Sequence, residues 1–142
     1  MGIETENLSG TETILLVDDE TYVRELARLH LETQGYKVLE ARSCSEAILL
    51  FEHNKEAIQL LLTDVVMPKM SGRDLVNILT SARKNLKIVF MSGFIQSASV
   101  HRGIQSEGTP FLQKPFTRDA LLRKVRETLD AGTVDPAAQN PI

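Results

Sequence analysis

The sequence predicts an α/β fold in which five parallel strands alternate with helices, and three observations lead there. Apolar residues run continuously through 14–17, 60–62 and 88–91, which marks strands buried on both faces, as in a parallel sheet. Segments with apolar residues every three or four positions separate these runs, the mark of helices with one buried face. Each strand-like run also ends on a polar residue, so the chain alternates βα units joined by right-handed crossovers.

The elements follow in order. The first strand, 14–17, closes on Asp18 and Asp19. Val23, Leu26, Ala27, His30 and Leu31 place a helix over 20–34, ended by Gly35. Residues 36–41 form the second strand. Ser43, followed three residues later by Glu46, makes a capping box, and Ala47, Ile48 and Phe51 are the buried stripe of the helix it starts. Residues 59–63 are the third strand, closed by Asp64. Pro68 breaks the next loop, and Ser71 or a neighbour caps a helix whose inner face is Leu75, Ile78, Leu79 and Ala82. Residues 86–91 are the fourth strand, closed by Ser92 and Gly93. The segment 94–109 holds a fourth helix that is short or irregular, because Gly103 and Gly108 interrupt it. Residues 110–113 are the fifth strand, closed by Lys114 and Pro115. Thr117 caps a last helix that buries Leu121, Leu122, Val125 and Leu129.

The chain's 142 residues suit one domain with its own core. Residues 1–11 read as a flexible linker or tag, 12–131 as the domain, and 132–142, with two prolines and no period, as a disordered tail. A net charge of -3 speaks against direct nucleic-acid binding. No apolar run reaches the ~20 residues of a membrane span, and the first residues lack the features of a signal peptide. Cys44 is the one cysteine, which excludes an internal disulfide and fits a reducing cytoplasm.

The polar strand ends carry the chemistry. In the strand order 2-1-3-4-5, a flavodoxin-like doubly wound sheet, strands one and three are neighbours where the winding reverses, and ligands bind beyond the carboxyl ends there. Asp18, Asp19 and Asp64 then meet in one cleft flanked by Ser92 and Lys114. Three carboxylates at one point repel, so either their pKa values rise or a cation joins them. A hard oxygen-seeking ion such as Mg²⁺ suits the set. Lys114 supplies a point charge for a carboxylate or phosphate, and Asp64 is a plausible nucleophile for phosphoryl transfer. Taken singly, each residue has a plainer role. Asp18 and Asp19 could cap a helix, Ser92 could sit in a turn, Lys114 could be a loop lysine and Phe111 could simply pack. Enzymatic alternatives fare worse. An Asp-based phosphohydrolase carries a second acid two residues on, where Val66 stands, and a dinucleotide enzyme needs glycines where Asp18, Asp19 and Glu20 stand.

The chain resembles the receiver domains of two-component response regulators. The resemblance lies in Ile14-Leu15-Leu16-Val17-Asp18-Asp19-Glu20, Leu61-Leu62-Thr63-Asp64-Val65-Val66-Met67-Pro68, Gly72, Met91-Ser92-Gly93 and Phe111-Leu112-Gln113-Lys114-Pro115-Phe116. It implies that Asp64 is phosphorylated by a histidine kinase or histidine phosphotransfer domain. It implies Mg²⁺ on Asp18, Asp19, Asp64 and the Val66 carbonyl, with Ser92 and Lys114 on the phosphoryl oxygens. It implies a switch made by Ser92 and Phe111, a cis bond before Pro115, and a phosphoacceptor that assists its own phosphorylation and dephosphorylation rather than an enzyme. The entry and exit motifs are most similar to C-terminal receivers of hybrid sensor histidine kinases. A stand-alone single-domain regulator, or a pseudo-receiver that only binds partners, is the alternative.

Overall fold

A computed structural model describes residues 7–93 and 108–131. Five parallel strands form one sheet in the order 2-1-3-4-5: β1 (Thr13–Val17), β2 (Lys37–Ala41), β3 (Ile58–Asp64), β4 (Lys87–Gly93) and β5 (Phe111–Lys114). The helices are α1 (Thr21–Thr33), α2 (Cys44–Asn54), α3 (Gly72–Ala82) and α4 (Arg118–Asp130). The short or irregular fourth helix read between strands four and five lies outside the described residues, as do the C-terminal tail and the first six residues.

Continuous hydrophobicity has the predicted cause: β1 and β3 are buried on both faces. Ile14, Leu16, Leu60 and Leu62 pack with Ala27 and Leu31 of α1 and with Leu121, Leu122 and Val125 of α4. Leu15, Val17 and Leu61 face the other way, onto Ala47 and Phe51 of α2 and Leu75 and Leu79 of α3. Alternate residues of one strand thus feed two cores.

Helix starts follow the sequence, with one change. The hydroxyls of Ser43, Ser71 and Thr117 accept from the amides of Glu46, Asp74 and Ala120 at 3.2, 3.1 and 3.1 Å. The Glu46 carboxylate, however, accepts from the amide of Arg42 at 2.8 Å, one residue before the position a reciprocal capping box uses. Two buried faces also differ. On α3, Ile78 and Ala82 are exposed, and Gly72 joins Leu75 and Leu79 on the inner face. On α1, Leu26 is more than a third exposed while Arg24 is buried. Arg24 earns that position by polar contacts: it donates to the Asp18 carbonyl at 2.8 Å and pairs with Glu40 at 3.1 Å.

Residues 8–12, read as mostly linker, are tied to the domain. Leu8 packs on the α1/α4 core, and the Gly10 amide donates to the Gln34 carbonyl at 3.0 Å. Arg126 of α4 pairs with Glu12 at 2.8 Å and donates to the Ser9 carbonyl and the Tyr36 hydroxyl, each at 3.0 Å.

The loop after β3 is held just as closely. Val65 donates to the Met91 carbonyl at 2.9 Å, Gly72 to the Val65 carbonyl at 2.7 Å, and Cys44 Sγ to the Met70 carbonyl at 3.3 Å. Gly72 has no room for a side chain, because a Cβ there would collide with the Asp64 carbonyl. Backbone cannot swing aside as a flexible side chain can. Gly72→Ala is therefore expected to lower stability by roughly 2 kcal/mol, measured by urea unfolding; a variant as stable as the wild type would refute this packing.

Candidate functional site

The site lies at the carboxyl ends of β1, β3, β4 and β5, where the order of winding reverses. Strand register places it. Val17 lies beside Thr63, so the acids that follow Val17 stand next to Asp64. Asp64 pairs with Met91, which leaves Ser92 one residue further along, and Gly93 pairs with Lys114.

Lys114 is the hub. Its ammonium lies 2.7 Å from Asp18 Oδ2, 3.0 Å from Glu20 Oε1 and 3.4 Å from Asp64 Oδ2. Asp18 is fully buried and Asp64 is 2% exposed. The other oxygen of Asp18 accepts from the Glu20 amide at 2.9 Å. The plainer role of Asp18, serving an amide at a helix start, is thus present together with its charge contact. Asp64 Oδ1 is buried and has no hydrogen-bond partner among the described residues.

The sequence-predicted residues fall as follows. Asp18, Asp64 and Lys114 come together. Asp19 is exposed and lines a cleft of about 340 Å³ with Glu20, Asp64, Val66, Met67 and Pro68. Ser92 is fully buried and its hydroxyl donates to the Gly93 carbonyl at 3.4 Å. Phe111 is half-buried against Val65 and Phe90. The bond before Pro115 is cis. Sequence reasoning overlooked Glu20. One oxygen from each of Asp18, Glu20 and Asp64 lies within 4.8 Å of the others. Its signal was its place directly after the acid pair.

The donor set fits a hard divalent ion. Carboxylate oxygens from three residues lie close enough to share one cation, and the buried Asp64 Oδ1 lacks any other partner. The electrostatics agree. Burial pushes the Asp64 carboxyl up to about 6 against the pull of Lys114, and the charges of Asp18 and Asp19 add to the rise. Burial also raises Asp18, opposed by its bond to Lys114. Desolvation draws Lys114 down, but its bonds and charge contacts with Asp18, Asp64 and Glu20 outweigh this and leave it raised. The site therefore holds a firm cation among acids that resist ionisation.

A flavodoxin-like sheet with an acidic, lysine-bridged cleft at its switch point defines a class of phosphoacceptor signalling domain. The chain belongs to the response regulator receiver domain family, whose model matches residues 14–126. It is 36% identical over 124 residues to the sensor kinase CckA of Brucella abortus, covering 87% of this chain and 13% of that protein. It is 30% identical over 128 residues to the response regulator MprA of Mycobacterium sp., covering 90% of this chain and 55% of that protein. The chain thus spans about half the length of one of these relatives and about an eighth of the other. Among solved structures, the receiver domain of the hybrid histidine kinase CckA matches with a TM-score of 0.69 at 32% identity, over 82% of this chain and 98% of that one. A response regulator receiver domain protein from Clostridium thermocellum matches with a TM-score of 0.75 at 27% identity, over 84% of this chain and 95% of that one. The chain is a receiver domain of two-component phosphorelay signalling, and no helix among its described residues is long and apolar enough to cross a membrane.

The raised Asp64 carboxyl gives a signed prediction. Its folded pKa of about 6 lies above the unfolded value, so the folded chain keeps this proton longer, and ionising Asp64 costs stability. The metal-free wild type should lose stability relative to Asp64→Asn as pH rises from about 4 to about 6. At pH 7 the variant should be more stable by roughly 1–2 kcal/mol, and at pH 4 the two should converge. Urea unfolding in a chelator at both pH values measures the gap.

Proposed function

We propose that Asp64 accepts a phosphoryl group from a phosphohistidine of a histidine kinase or histidine phosphotransfer domain, and that this event changes the surface offered to partners. The observation that supports it most is the Asp64 carboxylate: buried, one oxygen unpartnered, at the mouth of a cleft beside a lysine. Such an oxygen is free to attack. The P–N bond breaks as the Asp64 O–P bond forms. The imidazole keeps the electron pair of the broken bond and leaves as the neutral ring, its other nitrogen carrying the proton.

In this reading Asp18, Asp19, Asp64 and the Val66 carbonyl hold Mg²⁺, with Glu20 in reach of the same cluster. When bound, the ion neutralises charge on the transferring phosphoryl oxygens. Lys114 gives up part of its hold on Asp18 and Glu20 to meet those oxygens. The Ser92 hydroxyl exchanges its 3.4 Å bond to Gly93 for a phosphoryl oxygen. Phe111, at the edge of the small Val65–Phe90 cluster, follows the space that Ser92 vacates. The domain so assists its own phosphorylation and dephosphorylation without being an enzyme that turns over a separate substrate.

The domain limits 12–131, a cytoplasmic setting and attachment to a histidine kinase belong to the same reading. Similarity to the receiver of CckA supports the attachment. A stand-alone single-domain regulator is the second reading, favoured by the likeness to the receiver domain protein from Clostridium thermocellum, 95% of whose chain is covered.

The partner's approach is read from α1. Tyr22, Leu26 and Leu29 are exposed apolar residues at three- and four-residue spacing on this helix. Tyr22 and Leu26 line an apolar groove of about 120 Å³ with Val23, Pro115, Phe116 and the Lys114 of the site. A helix carrying the phosphohistidine would seat there beside Asp64.

Two experiments test this. With phosphoramidate and Mg²⁺, the wild type should take up one phosphoryl group and Asp64→Asn none; label that persists in the variant defeats the assignment. Leu26→Glu should slow transfer from a phosphohistidine domain about tenfold or more while leaving the phosphoramidate rate within about twofold. Equal losses with both donors would remove α1 from the partner surface.

A further inference from the structure

Glu20 occupies an unusual place for an acid at a helix start. It directly precedes α1, yet the Asp18 carboxylate, not that of Glu20, takes up the Glu20 amide, and the Glu20 side chain caps nothing. Its side chain is 60% exposed, so solvent alone could satisfy it. Instead Oε1 turns back to Lys114 at 3.0 Å. An ammonium has three hydrogens to give. Here the nitrogen lies 2.7 Å from Asp18, 3.0 Å from Glu20 and 3.4 Å from Asp64, so the phosphoacceptor is the most distant of the three.

We propose that Glu20 is a positioning residue for phosphoryl transfer: it holds the Lys114 ammonium off Asp64 in the resting domain and releases it when a phosphoryl group arrives. The proposal rests on the reading of Asp64 as phosphoacceptor. Its physical basis is competition for one cation. Lysine is a point charge on a flexible four-carbon stem, so it settles among its acceptors according to their pull. Asp18 is buried and cannot withdraw, whereas Glu20 is exposed and can turn to water at little cost, as exposed ion pairs are weak. Glu20 is thus the one of the three acids whose grip can be released. While it grips, Lys114 is shared and a phosphoryl group meets an extra negative charge at the mouth of the cleft. Once it lets go, Lys114 swings wholly toward the phosphoryl oxygens, which are stronger acceptors than a single carboxylate.

The same carboxylate lies within the 4.8 Å acidic cluster, so direct ligation of a divalent ion is the competing role. Three measurements on Glu20→Gln separate them. As a tether, Glu20→Gln should bring Lys114 within about 3.0 Å of Asp64 in a metal-free crystal structure. It should raise the phosphorylation rate with phosphoramidate about three- to tenfold, and leave Mg²⁺ affinity, by calorimetry, within about twofold. The gain should vanish when Glu20→Gln is made on a Lys114→Gln background, because the effect passes through the lysine. An acceleration that survives without Lys114 would reduce Glu20 to a repelling charge. A tenfold loss of Mg²⁺ affinity would make it a metal ligand, and either result overturns the proposal. The crystallographic distance needs no phosphorylation, so a Lys114 that stays at 3.4 Å sinks the tether even if Asp64 proves to be the acceptor. Label retained by Asp64→Asn would instead sink the parent reading.

Discussion

A buried carboxylate must find positive charge or keep its proton, and in this domain buried Asp18 and Asp64 turn to the ammonium of Lys114, which exposed Glu20 shares. That sharing organises the site. One cation cannot satisfy three acids fully. Asp18 takes the shortest contact, Glu20 holds on from the solvent side, and Asp64 keeps one oxygen free. The result is an Asp64 carboxylate shielded from bulk water and 3.4 Å from a shared ammonium.

The scaffold exists to bring these groups together at a cost the two cores can bear. Asp18 follows β1 and Asp64 ends β3, strands buried between two helical layers, and Lys114 ends β5 at the edge of the same sheet. Their backbone is pinned from outside the site as well. Arg24 reaches under α1 to hold the Asp18 carbonyl, and Gly72 lets α3 begin against the Asp64 carbonyl. Each acts on a backbone carbonyl of the site, and both fix where the Asp18 and Asp64 side chains start. Positioning on rigid strand ends is how a site keeps repelling charges at fixed separation.

Much of this was legible in the sequence. The strands were readable because a strand buried on both faces leaves an unbroken apolar run, and β1 and β3 are such strands. The strand order brought Asp18, Asp64 and Lys114 together, and the sheet places them so. What escaped depended on tertiary contacts. Leu26 and Ile78 fit the helical period as well as their buried neighbours do, and nothing local says which flank of the stripe meets the sheet. Arg24 reads as a surface residue until Glu40, 16 positions away, arrives beside it. The attachment of residues 8–12 needs Arg126, whose partner Glu12 is 114 positions distant. Glu20 was hidden for a different reason, since an exposed acid before a helix is ordinarily a solvated one.

The charge balance links the resting site to its function. Among the described residues, Asp18, Asp64 and Glu20 face the charge of Lys114, Asp19 lines the same cleft as Asp64, and burial holds Asp64 at about 6. Near neutral pH the cleft therefore carries more negative charge than it can comfortably hold. An anionic donor meets repulsion there unless positive charge enters first. The unpartnered oxygen of Asp64 and the loosened Lys114 are two expressions of the same deficit. Any group that relieves it, by adding positive charge or by removing the charge on Asp64 itself, shifts Lys114 among its partners. Because β5 carries Lys114 at one end and Phe111 at the other, a change in what the lysine holds is applied to the strand that also carries Phe111.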